Sequence, residues 1–345
     1  MFLYLEYTVL YLAGCQQKHT AHTAFYYWKT TFRLDQQQKE LLNKTGDNCL
    51  FLRFFDVTWN EQLREAMPNG VVDIRTPIRQ LNVSPVIYIT NQTFQNMKVK
   101  DSDSLAFKIN KLLNQVAAAK HINYNLVQID CDWTVGTREK YFSFLKAFKR
   151  FNGKQLQATI RLHQIKYPER TGIPPVDKGL LMFYNMGKIS AGSNSPNSIY
   201  NKEDAAAYIG SLSNYRLPLD VALPAFSWAI QIRNAGVVQL YGKIGLADLA
   251  ATQNFDPINQ GVGKIAENVF LYKSRKSFYL KGIYIKKGDL FKLETMDARS
   301  IDQAAAQLAL KLSPLENRNI IYYELSSIST SSLYEKDIQK ITAHF

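Results

Sequence analysis

Residues 125–133 read NLVQIDCDW, a short apolar run that ends in two carboxylates and a tryptophan. The run is a candidate β-strand. Side chains alternate across a strand, so Asp130 and Asp132 fall on one face and Cys131 on the other. Helical patterns lie on both sides, at 103–120 and 137–151, with apolar residues at helical spacing and polar residues opposite. A strand between two amphipathic helices is one β/α unit, and the pattern recurs along the chain. Further strand-like runs are AFYYW (24–28), CLFLRFFDV (49–57), SPVIYIT (84–90), QLQATIRLH (155–163), GLLMFYNMG (179–187), LDVALPAFSW (219–228) and NIIYYELSS (319–327). More helical patterns follow at 202–212 and 299–312, and Asp35, Thr137 and Ser300 are candidate helix starts, as polar caps or first-turn residues. Eight strands separated by helices close a parallel barrel, so the expected fold is α/β, a (β/α)8 TIM barrel.

The pattern breaks once. Between about 229 and 298 come extra β-like pieces, VVQLY and SFYLKGIYIKKGDLFKLE, with KKGD as the expected hairpin turn. This block sits between the seventh and eighth strands and is expected to be a β-rich insertion. The barrel would then occupy 24–228 and 299–345, and the insertion 229–298.

The 345 residues have ordinary globular composition, 46% hydrophobic and 21% charged, which excludes disordered, collagenous and small disulfide-stapled classes. A net charge of +13 favours acidic partners. Three scattered cysteines and no paired Cys or His spacing argue against a structural metal, and no cofactor is expected. Cys15 differs from the other two, because the apolar stretch before it ends in Leu12, Ala13, Gly14 and Cys15. That quartet looks like a bacterial lipobox, which implies a signal peptide over 1–14, lipidation of Cys15, a polar tether over 15–23 and a cell-envelope location with a membrane anchor. The leader carries Glu6 and lacks a positive n-region, so a short buried strand or helix is the competing reading. The G-x-G-x-x-A match at Gly261, Gly263 and Ala266 follows NFDPINQ, which is no strand, so a dinucleotide site is not expected. The lysines of 264–292 have no nucleic-acid motif beside them and read as a solvated face.

In a parallel barrel, functional groups gather at the carboxyl ends of the strands. Two carboxylates on one inward face need cations, hydrogen bonds or a shared proton, and neighbouring strands offer Arg161 and His163, with Arg53 on the second. A buried structural ion network and an active-site acid pair both fit. At this point the chain resembles the chitinase-like family 18 glycoside hydrolases, whose fourth strand carries D-G-x-D-x-D-W-E. VQIDCDWT keeps Asp130, Asp132 and Trp133 of that motif. The family's M-x-Y-D on the sixth strand is followed by Met182, Phe183, Tyr184 and Asn185, and Leu223, Pro224, Ala225 and Phe226 resemble the centre of its seventh-strand motif. The family's insertion also follows the seventh strand.

What the resemblance implies for chemistry turns on the departures. In the family the motif's last Glu protonates the leaving oxygen, the substrate's acetamido group is the nucleophile, and the preceding Asp orients it. Here Thr134 holds the Glu position, and a threonine hydroxyl offers no accessible acidic proton. The remaining catalytic candidates are Asp132, Asp130, Tyr184, Asp56 and Glu324. With Tyr323 laid on the tryptophan that floors the family's sugar site, Glu324 is expected to face the other way. Substrate-binding candidates are Arg161, His163, Asn185, Trp28, Trp133, Phe226, Trp228 and Tyr323, since sugar C–H faces stack on aromatic planes and hydroxyls need polar partners. The expected partner is a glycan or polysaccharide, handled by a hydrolase with a relocated acid or by a non-catalytic binding barrel. A structural or assembly lipoprotein is a third possibility and requires a plugged mouth.

Overall fold

The computed structural model describes residues 21–251, 253–258, 266–325 and 333–345. The expected leader, Cys15, the tether as far as residue 20, Gly261 and Gly263 lie outside the described residues.

Eight parallel strands close into a ring: β1 (Ala21–Tyr27), β2 (Cys49–Asn60), β3 (Asn82–Ile89), β4 (Leu126–Asp130), β5 (Gln155–Arg161), β6 (Lys178–Met182), β7 (Leu219–Pro224) and β15 (Arg318–Tyr323). β1 pairs with β2 on one side and β15 on the other, which leaves no free edge in the ring. β4 and β7 are buried along their whole length, because one face fills the barrel and the other is covered by helices. The α/β class and the (β/α)8 barrel expected from the sequence are what the chain adopts.

Helices α1 (Gln36–Thr45), α2 (Ser102–Ala119), α3 (Arg138–Asn152), α4 (Lys202–Ile209), α5 (Ala298–Ala309) and α6 (Glu335–Thr342) form most of the outer layer. In α3 the buried residues Tyr141, Phe144, Leu145 and Phe148 recur at spacings of three and four, the stripe a helix needs to lie on a sheet. Each such side chain contributes roughly 1.5–3 kcal/mol on burial. Asp35 caps α1 in a reciprocal capping box with Gln38. Ser300 lies in the first turn of α5, whose cap is Asp297, which accepts the Ser300 N–H at 2.8 Å.

Outside the ring, β8 (Trp228–Arg233), β9 (Gly236–Tyr241), β10 (Phe255–Pro257), β11 (Val269–Ser274) and β14 (Leu290–Glu294) make an antiparallel sheet in the order β9-β8-β14-β11-β10. β12 (Phe278–Leu280) and β13 (Ile283–Ile285) pair as a hairpin. Its turn is Lys281–Gly282, with φ of 49° and 79°, and not the expected KKGD. Two left-handed residues match the twist of a two-residue hairpin loop, and glycine adopts the second freely. KKGD instead leads from β13 to β14, and its Asp289 accepts from the Lys286 N–H, Gln231 and Arg233.

The ring interior carries a polar chain that the sequence reading missed. The Tyr26 hydroxyl donates to Gln128, Gln128 Nε2 donates to Gln157 Oε1 at 2.5 Å, and Gln157 Nε2 donates to Asp220 at 2.7 Å. Asp220 also pairs with Lys178 at 2.9 Å and accepts twice from Asn319. Each buried group is satisfied, so the chain ties β1, β4, β5, β6, β7 and β15 together instead of leaving costly orphans.

Candidate functional site

The acids expected at the strand ends lie near one another there, each with its own partners. Asp130 closes β4, is almost fully buried, and accepts the Thr159 hydroxyl at 2.6 Å. Burial raises its carboxyl to about 6; the Thr159 hydrogen bond and Arg161 oppose the rise, while Asp132 and Asp56 add to it. Asp132 is held by both arms of Arg161, with Nη2 to Oδ2 at 2.7 Å. Gln164 fixes that arginine: its Oε1 accepts the Arg161 N–H at 2.8 Å and its Nε2 donates to the Trp133 carbonyl at 3.0 Å. Gln164 thus links the ends of β4 and β5, and nothing in its sequence surroundings marked it.

On β2, Arg53 grips Asp56 through Nε at 2.7 Å and through Nη2. Strict alternation would put residues three apart on opposite faces, but the register shifts between Arg53 and Phe55, and this bulge lets them meet. A bulge has no reliable signature in a single sequence, so the pair was not foreseeable as a pair.

The aromatic residues form a continuous floor. Tyr323 stacks on Tyr184 with ring centroids 5.4 Å apart and an interplanar angle of 26°. Trp28, Phe226 and Tyr26 surround it at 6.0, 5.6 and 5.4 Å. Phe226 in turn meets Trp228 edge to face at 5.5 Å. Burial pushes the Tyr184 phenol far up, and the neighbouring Tyr323 and Asp130 reinforce the shift, so it stays a neutral hydroxyl beside the acids. Over Tyr323, Phe226 and Trp228 opens a cavity of about 460 Å³, within the ~300–1,000 Å³ usual for small-molecule pockets, whereas Trp28, Tyr184, Asp130 and Asp132 lie outside its lining. Tyr323, Phe226, Trp228, Asn185 and Glu324 line it. The Trp228 indole N–H is committed to Glu294 at 2.8 Å, so only its ring faces serve a ligand.

Several expectations need correction. Glu324, expected to face away from Tyr323, nevertheless contributes to the lining of the same cavity. Regular β15 ends at Tyr323, so alternation no longer governs the next residue. Burial raises the Glu324 carboxyl, and Lys29 and the Trp28 backbone oppose the shift. Trp133 is no platform for a ligand. It is 1% exposed, stacks on Tyr141 of α3 at 5.2 Å and donates to the Thr171 carbonyl at 3.1 Å, contacts that bury it in the helix layer beyond the end of β4. His163 does not end β5. It lies largely exposed on a short helix, Leu162–Lys166, where partial desolvation by its neighbours and the Arg161 charge lower its imidazole. Thr134 is exposed before α3, where its carbonyl accepts the Thr137 and Arg138 N–H groups.

A larger depression, about 1080 Å³, is lined in part by Asn197, Tyr200, Asn268 and Gln303. None of the candidate residues reaches it, so size alone does not mark the site. Among the described residues no group of three or more His, Cys, Asp or Glu side chains could hold a metal ion.

No family model and no curated protein sequence matches the chain. Solved structures do share its fold. The spore cortex-lytic enzyme SleL of Bacillus megaterium QM B1551 superposes over 96% of this chain and 75% of its own, with a TM-score of 0.53 at 13% identity. SleL of Bacillus cereus gives 95% and 75%, TM-score 0.52, at 14% identity. The chitinase-like agglutinin RobpsCRA of Robinia pseudoacacia gives 93% and 98%, TM-score 0.52, at 12% identity. The resemblance drawn from the strand motifs therefore holds as a likeness of barrel fold, at the low identity that broken motifs imply.

Proposed function

We propose that the chain binds a glycan in the carboxyl-end mouth of its barrel, and that it does so as a bacterial envelope lipoprotein held through Cys15. The observation that supports the first part is Tyr323, backed by Tyr184 and edged by Phe226, facing a cavity that also holds Trp228, Asn185 and Glu324. Sugar C–H faces fit such a floor, and the amide and carboxyl beside it suit sugar hydroxyls. The open cavity weighs against a plugged, purely structural barrel.

Turnover of chitin-type substrates is weak on this reading. Thr134 stands where the resemblance places the proton donor, and loss of a general acid removes about two to four orders of magnitude in rate. A second reading, hydrolysis with a relocated acid, draws support from Glu324, whose carboxyl burial raises and which lines the same cavity. Asp56 and Asp132 suit that task less, since each is held in two-point contact by an arginine.

A glycan array followed by calorimetry and a reducing-sugar assay over a wide pH range tests both readings. We expect a glycan that binds the wild type and binds at least about tenfold more weakly to Tyr323→Ala, as loss of a stacking platform predicts, with no measurable release of reducing ends from chitin oligomers. Failure of every glycan to bind sinks the binding proposal. Turnover abolished by Glu324→Gln supports the relocated acid, and chitin turnover abolished by Thr134→Ala overturns the role given to that position. The second part of the proposal draws on the LAGC quartet and the polar residues after it.

A further inference from the structure

Three lysines from separate loops converge on the cavity over Tyr323. Lys29 follows β1, Lys243 follows β9, and Lys281 forms the turn between β12 and β13. Lys243 and Lys281 clasp each other: each Nζ donates to the other's main-chain carbonyl at 2.8 Å, and Lys281 Nζ also pairs with Asp248 at 2.7 Å. An ammonium carries three donors, so the clasp fixes both groups at the rim and leaves two donors on Lys243 and one on Lys281 for a ligand. Glu324 is the one carboxylate lining this cavity among the described residues, and Asn185, a neutral amide, stands where the strand motif has an aspartate. Three lysines thus face two carboxylates, Glu324 beside Lys29 and Asp248 on Lys281, which leaves one net positive charge, centred on Lys243, over an apolar floor and favours a sugar that carries a negative charge.

We propose that the glycan taken by this cavity is acidic, its sugar carboxylate met by Lys29, Lys243 and Lys281 while the ring lies on Tyr323 and Phe226. This inference rests on the glycan-binding reading above and adds the ligand's charge. It also divides the labour: the barrel supplies the stacking floor, and the insertion supplies two of the three cations. Charge-assisted hydrogen bonds are shorter and stronger than neutral ones, so the carboxylate would be the main source of discrimination.

The test compares a hyaluronan tetrasaccharide, in which every second sugar bears a carboxylate, with its carboxyl methyl ester and with chitotetraose, by calorimetry on the wild type. We expect the acid form to bind about tenfold or more tightly than the ester, the value of one charged hydrogen bond. That ratio should shrink when salt is raised from about 50 to about 500 mM, where screening shortens to a few ångströms. It should also shrink in Lys29→Gln/Lys243→Gln. Equal binding of acid and ester, or a ratio unmoved by the double substitution, overturns the acidic-ligand inference and leaves the glycan reading standing. Failure of the hyaluronan tetrasaccharide to bind also overturns the acidic-ligand inference, whereas the glycan reading falls only if every glycan on the array fails as well.

Discussion

Asp130 shows how far one environment moves one group. The carboxyl is buried at the end of β4 with the Thr159 hydroxyl as its donor, and it titrates near 6 against an ordinary value of 3.8. Its folded value lies above its unfolded one, so the folded chain keeps a proton that the unfolded chain releases between about pH 4 and 6. The proton's stabilising contribution is therefore complete below that window and is lost as pH rises through it. The gap corresponds to about 3 kcal/mol. Asp130→Asn removes the titration, keeps an acceptor for Thr159, and should make the variant's stability relative to wild type increase by up to about 3 kcal/mol between pH 4 and 7.5. Urea unfolding of both proteins at the two pH values measures this; an identical difference at both would mean that Asp130 ionises as a surface carboxylate does. Asp130 and Asp132 were legible in the sequence as a pair on one face. Their separate states were not, because Asp132 owes its partner to Gln164 steering Arg161 from the next strand.

Elements were more legible than the contacts between them. All eight ring strands stand out as apolar and aromatic runs, since a strand buried on both faces needs an unbroken run. Their ends were misjudged where a side chain captures the backbone, as when Gln164 takes the Arg161 amide and the strand stops two residues before the expected run ends. The insertion's seat on the barrel was not legible at all. It depends on Glu294 at the end of β14, which accepts from the Ser198 N–H at 3.1 Å, from the Ser198 hydroxyl and from the Trp228 indole, and lies 2.9 Å from Lys292 Nζ. Both charged side chains have no exposed surface. Removing one member of a buried pair strands the other, so Glu294→Ala should cost about 3–5 kcal/mol, whereas Lys292→Met with Glu294→Gln should recover most of it. Chemical denaturation of the two variants decides this, and a single variant as stable as wild type would show that the pair does not hold the insertion in place.

At the scale of the molecule, the direction of the barrel constrains how an anchored chain would work. All eight ring strands run parallel, so the start of β1 at Ala21 lies on the face opposite the strand ends that carry Asp130, Tyr184 and Tyr323. From Cys15 to Ala21 the chain can reach at most about 20 Å. On the proposal that Cys15 is lipidated, the amino-end face of the barrel is therefore held near the membrane and the aromatic mouth opens away from it, toward the compartment where a glycan would be met. The alternative, a short buried element over the same residues, puts no lipid there and gives no such orientation. Metabolic labelling with a fatty acid in a bacterial host separates the two: the wild type should incorporate label and Cys15→Ser should not. The orientation carries a second expectation. Wild-type protein reconstituted on neutral vesicles should bind a soluble glycan with the affinity of the unanchored Cys15→Ser form, because nothing in the anchor's geometry screens the mouth. Equal labelling, or none, in both proteins rejects the anchor at Cys15. Labelling with glycan binding lost on the vesicle surface keeps the anchor and rejects the outward-facing mouth.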